Sequence, residues 1–351
     1  ETHIIISPGS GTKKASLFYI SVLQPVLETL FPKGHTNFLV HTTTSATTVS
    51  ELSSDIFLPT ATAGINLRII LLTGDGGILD ILNEFHTHPP SASYAAPELV
   101  LLPLGTANAL FHSSNAAKDN TWGLRALVSR TTKPLPTFTA SFSPGARLLV
   151  DEARKENELP LDPSTGHRVL HGAVVGSWAM HAALVADSDT SEYRKYGIDR
   201  FKMAAKHALY PSTGDAPHVY KAGISLLRND TWASLEEQEH MYVLLTLVSN
   251  LEQSFCVSPA TKPLDGSMHV VHFGPTAGDE AMRIMGLAYQ GGKHVDDGAV
   301  RYEAVDGLRI VFKEDEDRWR RICVDGKIVR VERGGWVEFR KGEGRVVDVV
   351  V

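Results

Sequence analysis

Arg68-Ile69-Ile70-Leu71-Leu72-Thr73-Gly74-Asp75-Gly76-Gly77-Ile78-Leu79-Asp80-Ile81-Leu82-Asn83-Glu84-Phe85 is the stretch on which the fold turns. Ile69 to Leu72 is an unbroken apolar run, as expected of a strand in a sheet covered on both faces. Ile78, Leu79, Ile81, Leu82 and Phe85 then recur at helical spacing. Between strand and helix lies Gly74-Asp75-Gly76-Gly77. Glycines permit close backbone approach, and the start of a helix presents unpaired N–H groups to an anion. Asp75 is the odd member, because a carboxylate repels phosphate unless a magnesium ion, or a proton it is about to accept, offsets the charge. That makes it a candidate general base or metal-linked acid, although Asp-Gly is also an ordinary turn pair.

The same grammar repeats on either side. Ile4–Ile6 reads as a strand and runs into Ser7-Pro8-Gly9-Ser10-Gly11-Thr12, followed by a helical pattern with Leu17, Phe18, Val22, Val26 and Leu30 on one face. Asn37–His41 is a further strand, leading through Ser and Thr residues to a helix over Thr47–Phe57. Glu98–Leu102 precedes Pro103-Leu104-Gly105-Thr106-Ala107-Asn108. Strand, glycine loop and helix in repetition predict a parallel sheet with its ligand at the carboxyl ends of the strands.

From Pro134 the pattern changes. Prolines 134, 136, 144, 160 and 163 punctuate it, and most later segments alternate as strands do. The candidates are Thr137–Phe142, His171–Ser177, His218–Leu227, Met241–Ser249, Met268–Phe273, Leu308–Phe312, Arg318–Val324, Ile328–Glu332, Trp336–Arg340 and Val346–Val350. Gly172 to Ala186 reads as buried strands, while Glu192–Leu209 and Gly278–Tyr289 read as helices. Many strands with short turns predict a β-sandwich. The expected organisation is an α/β domain over residues 1–134 and a β-rich domain over 135–351, the last strands packing back toward the first domain. Glu314-Asp315-Glu316-Asp317 reads as a solvated turn.

Composition bounds the function. The 351 residues are 43% apolar and 21% charged, an ordinary globular balance of about two domains. A net charge of −6 argues against nucleic-acid binding through overall charge. Two cysteines, Cys256 and Cys323, are too few for a disulfide scaffold and fit a reducing interior. No apolar stretch is long enough to span a membrane. The chain starts at Glu1 without a methionine or a signal-peptide pattern, and an upstream segment is expected to be missing. A P-loop and a full Gly-x-Gly-x-x-Gly are both absent, Lys14 following Gly9 and Gly11 where the third glycine would sit. Gly-x-Ser-x-Gly is absent as well. His86-x-His88 reads as a surface loop rather than a metal site, and Asn229-Asp230-Thr231 as an accidental sequon.

Taken in order, Ser7-Pro8-Gly9-Ser10-Gly11, Thr73-Gly74-Asp75-Gly76-Gly77 with Asn83, and Pro103-Leu104-Gly105-Thr106-Ala107-Asn108-Ala109-Leu110 resemble the diacylglycerol kinase catalytic domain of lipid kinases. The sphingosine (long-chain base) kinase branch looks closest, through Asp187-Ser188-Asp189-Thr190-Ser191-Glu192-Tyr193-Arg194-Lys195-Tyr196-Gly197, Asp199-Arg200-Phe201, the helix Gly278–Gly291 and Val324-Asp325-Gly326. The resemblance implies an α/β nucleotide-binding domain, a β-sandwich lipid-binding domain and an active site in the cleft. It implies ATP and Mg2+ as cofactors, a sphingoid base as substrate, no nucleic-acid partner, and a cytoplasmic enzyme in peripheral contact with membranes.

By motif, Asp75 resembles the base that takes the proton of the lipid's primary hydroxyl. Ser7, Gly9, Ser10, Gly11, Gly74, Gly76, Gly77, Gly105, Thr106 and Asn108 match the nucleotide loops, and Thr42 and Thr44 match the second strand end that faces the nucleotide. Arg194 and Arg200 match arginines that meet ATP phosphates, and Asp325 joins the nucleotide set. Asp187, six residues before Tyr193, matches the acid that holds an amino-alcohol head group, and Asp80 faces the same site. The plainer reading of Asp187 and Asp189 is turn or helix capping. An apolar tunnel lined by Phe201, Met203, Leu244, Leu247, Phe255 and Met285 would favour lipid over the soluble substrate of an NAD kinase.

Three positions depart from the pattern. Ser7 replaces the usual asparagine, Lys327 the usual glutamate after Val324-Asp325-Gly326, and Asp80 a longer glutamate. They keep diacylglycerol or ceramide kinase activity, and a non-catalytic lipid- or nucleotide-binding relative, as alternatives.

Overall fold

The computed structural model describes residues 1–32, 38–87, 91–115 and 120–351. The chain forms two units, Glu1–Leu135 with Gly344–Val351, and Pro136–Glu343.

In the first unit six strands form one sheet, in the order Phe38–Thr42, Thr2–Ile6, Arg68–Thr73, Glu98–Pro103, Asp348–Val350, Thr132–Pro134. All pair in parallel except Thr132–Pro134, which runs antiparallel to Asp348–Val350. The apolar runs explain the burial of both faces. Ile4, Ile6, Ile70, Leu72, Val100 and Leu102 pack on Leu23 and Leu27 of the first helical segment. The alternate residues Ile5, Ile69, Leu71 and Leu99 are buried as well.

The first helical segment corrects the sequence reading. Ala15, Leu23 and Leu27 are its buried residues, whereas Leu17 and Leu30 are 64% and 42% exposed. The cause is the π-helical stretch Tyr19–Leu23 between the α-helices Ala15–Phe18 and Gln24–Leu30. One extra residue in a turn rotates everything after it, moving the inward positions from Val22 and Val26 to Leu23 and Leu27. Asn37, the first residue of the expected second strand, lies outside the described residues.

The second unit is a sandwich of two antiparallel sheets. One has eight strands, in the order Val300–Ala304, His269–Phe273, Tyr242–Thr246, Val175–Ala179, Arg321–Val324, Lys327–Arg330, Arg147–Val150, Lys155–Glu158. The other runs Thr231–Ser234, Tyr220–Arg228, Gly307–Phe312, Trp336–Lys341, Phe138–Phe142, Arg168–Gly172, with Glu239–His240 added to Tyr220–Arg228. Trp178 of the first sheet meets Phe312 of the second with ring centroids 5.5 Å apart. A Cβ on Gly176 would collide with Phe339 of the opposite sheet, so only glycine admits that ring. His240 and His272, both buried, join the sheets through an Nδ1···Nε2 bond of 2.8 Å.

Four further expectations change here. Gly172–Ala186 is not all strand, because Met180–Ser188 is a helix. Ala179 turns the chain with φ 62° and ψ −137°, and strong helix formers follow it. His171–Ser177 divides into Arg168–Gly172 and Val175–Ala179. Glu192–Leu209 is a 3-10 turn, Tyr193–Tyr196, and a helix, Asp199–Leu209, broken by Gly197 at φ 55°. Finally, the acidic run is no free turn. Glu314 is buried and accepts from the Lys221 amide at 2.7 Å. The buried Arg320 donates to the Glu314 carbonyl at 2.9 Å and pairs with Asp317, so the run wraps a guanidinium.

Candidate active site

Three loops leave the carboxyl ends of adjacent strands in the first unit and lock onto one another. Gly11 has φ 50°, and a Cβ there would stand 2.5 Å from the Gly105 carbonyl oxygen. A Cβ on Gly74 would stand 3.1 Å from the Gly105 Cα and 3.6 Å from Ser10 Oγ. The Ser7 amide donates to the Leu72 carbonyl at 3.2 Å, and Thr43 Oγ1 donates to Ser7 Oγ at 3.2 Å. These glycines are needed for protein packing. Gly9 and Gly76 are not, since neither has a positive φ and an added Cβ at either meets nothing within 4 Å. Glycine there leaves backbone open for a ligand to approach.

Asp75 opens the helix Asp75–His86 and is partly exposed. Its Oδ2 accepts from the Ala109 amide at 2.9 Å and its Oδ1 from the Leu110 amide at 3.0 Å. Burial pushes this carboxyl above its ordinary range, and the amides of Leu110, Ala109 and Asp75 itself pull it back. A recess of about 220 Å³ adjoins it, walled by Leu71, Ile78, Leu101, Phe111 and Asn108. Asn108 donates and accepts within its own loop, taking the Gly105 amide at 2.8 Å.

The remaining first-unit candidates are less engaged. Thr42 and Thr44 are exposed at the end of the edge strand, and Thr43 between them makes the link to Ser7. Thr106 and Asp80 are partly exposed, Asp80 on the helix that Asp75 opens. Gly77 sits against Thr73 Oγ1, 2.6 Å from an added Cβ, which accounts for this glycine by packing.

In the second unit, two carboxylates at the end of Met180–Ser188 are each held by two arginines. Arg321 Nη2 donates to Asp187 Oδ1 at 2.8 Å, and Arg318 Nη2 lies 3.9 Å from Oδ2. Arg194 grips Asp189 through Nε at 3.0 Å and Nη2 at 2.9 Å, and Arg200 Nη1 approaches it at 3.4 Å. Buried Nε of Arg200 has no hydrogen-bond partner. Asp187, Arg194 and Arg200 therefore belong to a cationic cluster. Arg321 was missed in the sequence because nothing in a strand residue 134 positions away marks it as the partner of Asp187. Asp325, at φ 46° in a hairpin turn, accepts from the amides of Ala173 at 2.6 Å, Val174 at 3.1 Å and Val175 at 2.6 Å. Building that bend accounts for the residue without a nucleotide.

Of the tunnel candidates, Leu244, Leu247 and Phe255 are buried, and Phe201, Met203 and Met285 partly so. Among the described residues no group of three or more His, Cys, Asp or Glu could hold a metal, and His88 lies outside those residues. No helix among them is long and apolar enough to cross a membrane.

Residues 1–140 match the family described as the diacylglycerol kinase catalytic domain. No curated protein matches the chain. Three solved structures from Bacillus anthracis str. Sterne, described as diacylglycerol kinases (two of them provisionally), are similar over 100% of this chain and 96% of theirs. Their TM-scores are 0.64, 0.62 and 0.57 at 14%, 12% and 10% identity, a likeness of fold.

Proposed function

We propose, from the premise that residues 1–140 are a diacylglycerol kinase catalytic domain and the chain a lipid kinase, that it moves the γ-phosphoryl group of ATP to a lipid's primary hydroxyl. The observation that carries the reading is the convergence of the three glycine loops beside Asp75, with Gly9 and Gly76 left open. Phosphoryl transfer needs positioning and charge compensation more than covalent chemistry. Backbone groups around Ser7, Gly9, Ser10, Gly11, Gly74, Gly76, Gly105 and Thr106 supply the cradle in this reading, with Thr42 and Thr44 at its rim. Asp75 takes the hydroxyl proton, and a carboxyl raised by burial is better matched to that task near neutral pH.

Mg2+ fits as a partner of the phosphates rather than as a resident of a protein cage, since it keeps waters and uses one or two carboxylates. Both Asp75 oxygens already accept amides, so Asp80 is the acid placed to assist. Bound with ATP, the ion neutralises charge on the transferring phosphate.

For the acceptor, Asp187 before Tyr193 supports a sphingoid long-chain base, whose ammonium the carboxylate would meet. A second reading, a neutral acceptor such as diacylglycerol or ceramide, is favoured by Arg321, which already neutralises Asp187 at 2.8 Å. Radiolabel transfer from ATP to sphinganine, phytosphingosine, diacylglycerol and ceramide, with wild type beside Asp75→Asn and Asp187→Ala, tests both. A sphingoid kinase loses its cationic substrates on Asp187→Ala, and a neutral-lipid kinase is unaffected. Tight ATP binding with no transfer to any lipid would leave the non-catalytic relative.

A further inference from the structure

We infer that Asn108 is a positioning residue, one that closes its loop into a ring and thereby holds the Ala109 and Leu110 amides on the Asp75 carboxylate. The inference rests on the reading of Asp75 as the base and assigns Asn108 a task other than touching nucleotide.

Asn108 is buried, and its backbone is left-handed at φ 54° and ψ 45°. Asparagine is among the few residues that adopt this conformation at little cost. Its side chain is spent inside the loop. Oδ1 accepts from the Gly105 amide at 2.8 Å, and Nδ2 donates to the carbonyls of Gly105 at 3.2 Å and Pro103 at 3.4 Å. The side-chain ring fixes where the loop ends, and the left-handed step aims the next two N–H groups. Those are the two that reach Asp75, one to each oxygen, at 2.9 and 3.0 Å.

The far side of the ring is equally constrained. Gly105, whose amide Asn108 holds, lies so close to Gly74 that a Cβ would overlap the Gly74 Cα. Asn108 therefore sits between the residue that packs against the Asp75 loop and the amides that bind the Asp75 carboxylate. Hydrogen bonds to the ionised form favour it, and burial opposes it. If the ring opens, burial is left unopposed, and the base keeps its proton to higher pH.

The test uses the full chain with ATP and an accepted lipid, comparing wild type, Asn108→Ala and Asn108→Gly. Glycine keeps the left-handed backbone and removes only the side chain, so it also serves where alanine fails to fold. The expected result is an acid limb of the kcat–pH profile moved up by about one unit, with kcat at neutral pH down ~10-fold and restored at high pH. KM for ATP should change little. A raised KM for ATP with the acid limb unmoved would make Asn108 a nucleotide contact and overturn the inference, as would unaltered kinetics. Titration of the Asp75 carboxyl by NMR on ¹³C-aspartate-labelled protein, assigned with Asp75→Asn, reads the same shift without turnover. A shifted titration in an enzyme whose Asp75→Asn variant stays fully active would keep the positioning role and remove the base. An unshifted titration overturns the positioning role alone.

Discussion

Gly105 and Gly74 meet through their backbones, so closely that a Cβ on Gly105 would overlap the Gly74 Cα and come 2.8 Å from Asn108 Oδ1. Two strand-end loops are thereby fused into one surface. Gly105→Ala should force them apart, costing about 1–3 kcal/mol as overpacking does. Thermal unfolding and ATP binding should both weaken, and a variant with unchanged melting and ATP affinity would contradict the packing described.

Gly9 and Gly76 invite the opposite experiment. Alanine at either meets no protein atom within 4 Å, and in the first turn of a helix it is favoured over glycine by up to about 1 kcal/mol. Gly76→Ala should therefore keep or raise the melting temperature while raising KM for ATP about tenfold or more. Should ATP bind as before, these glycines do not face the nucleotide.

Asp75→Asn should lower kcat by about 10²–10⁴-fold with ATP still bound. It should also destabilise the first unit. Two amides point at the carboxylate, and an asparagine can offer an acceptor to only one of them. The unpaired donor costs about 1–3 kcal/mol, read as a shift in the denaturant midpoint.

Arg321 is the residue that separates the two acceptor readings. Arg321→Leu leaves Asp187 with Arg318 at 3.9 Å as its remaining arginine partner among the described residues. The freed carboxylate should raise the rate with sphinganine relative to diacylglycerol about tenfold in a mixed-substrate assay. An unchanged ratio would place Asp187 away from the lipid head group.

Acid should loosen the sandwich of the second unit. Burial pushes His272 from 6.5 down to about 4, and it lowers its partner His240 as well. Glu237 and Arg301 act on His272 in opposite directions. The unfolded chain then binds protons that the fold does not. The stability these groups contribute is present above about pH 6.5 and lost as pH falls toward 4. Chemical denaturation across that range should show the decline, and His272→Gln should flatten it.

Much of the site was legible in the chain order. Strand, glycine loop and helix are local patterns, and the three loops at 7–12, 74–77 and 103–108 do converge. The side-chain roles were less legible. Asp325 carries a familiar motif yet builds a bend, and the acidic run 314–317 wraps Arg320. In both cases the partner lies in a segment whose own pattern gives no sign of the contact. The phase of the first helical segment was hidden too, because a π turn leaves no mark in apolar spacing until the core selects the inward residues.

Sequence alone determined the parallel α/β sheet, the antiparallel partner unit and the glycine loops, because side-chain periodicity and the freedom of glycine act over a few residues. Only the tertiary structure decided that Asp75 is held by the amides of Ala109 and Leu110, and that Asp187 is held by Arg321. The state of a carboxylate depends on which donors close packing brings to it, and those donors come from segments 34 to 134 residues away.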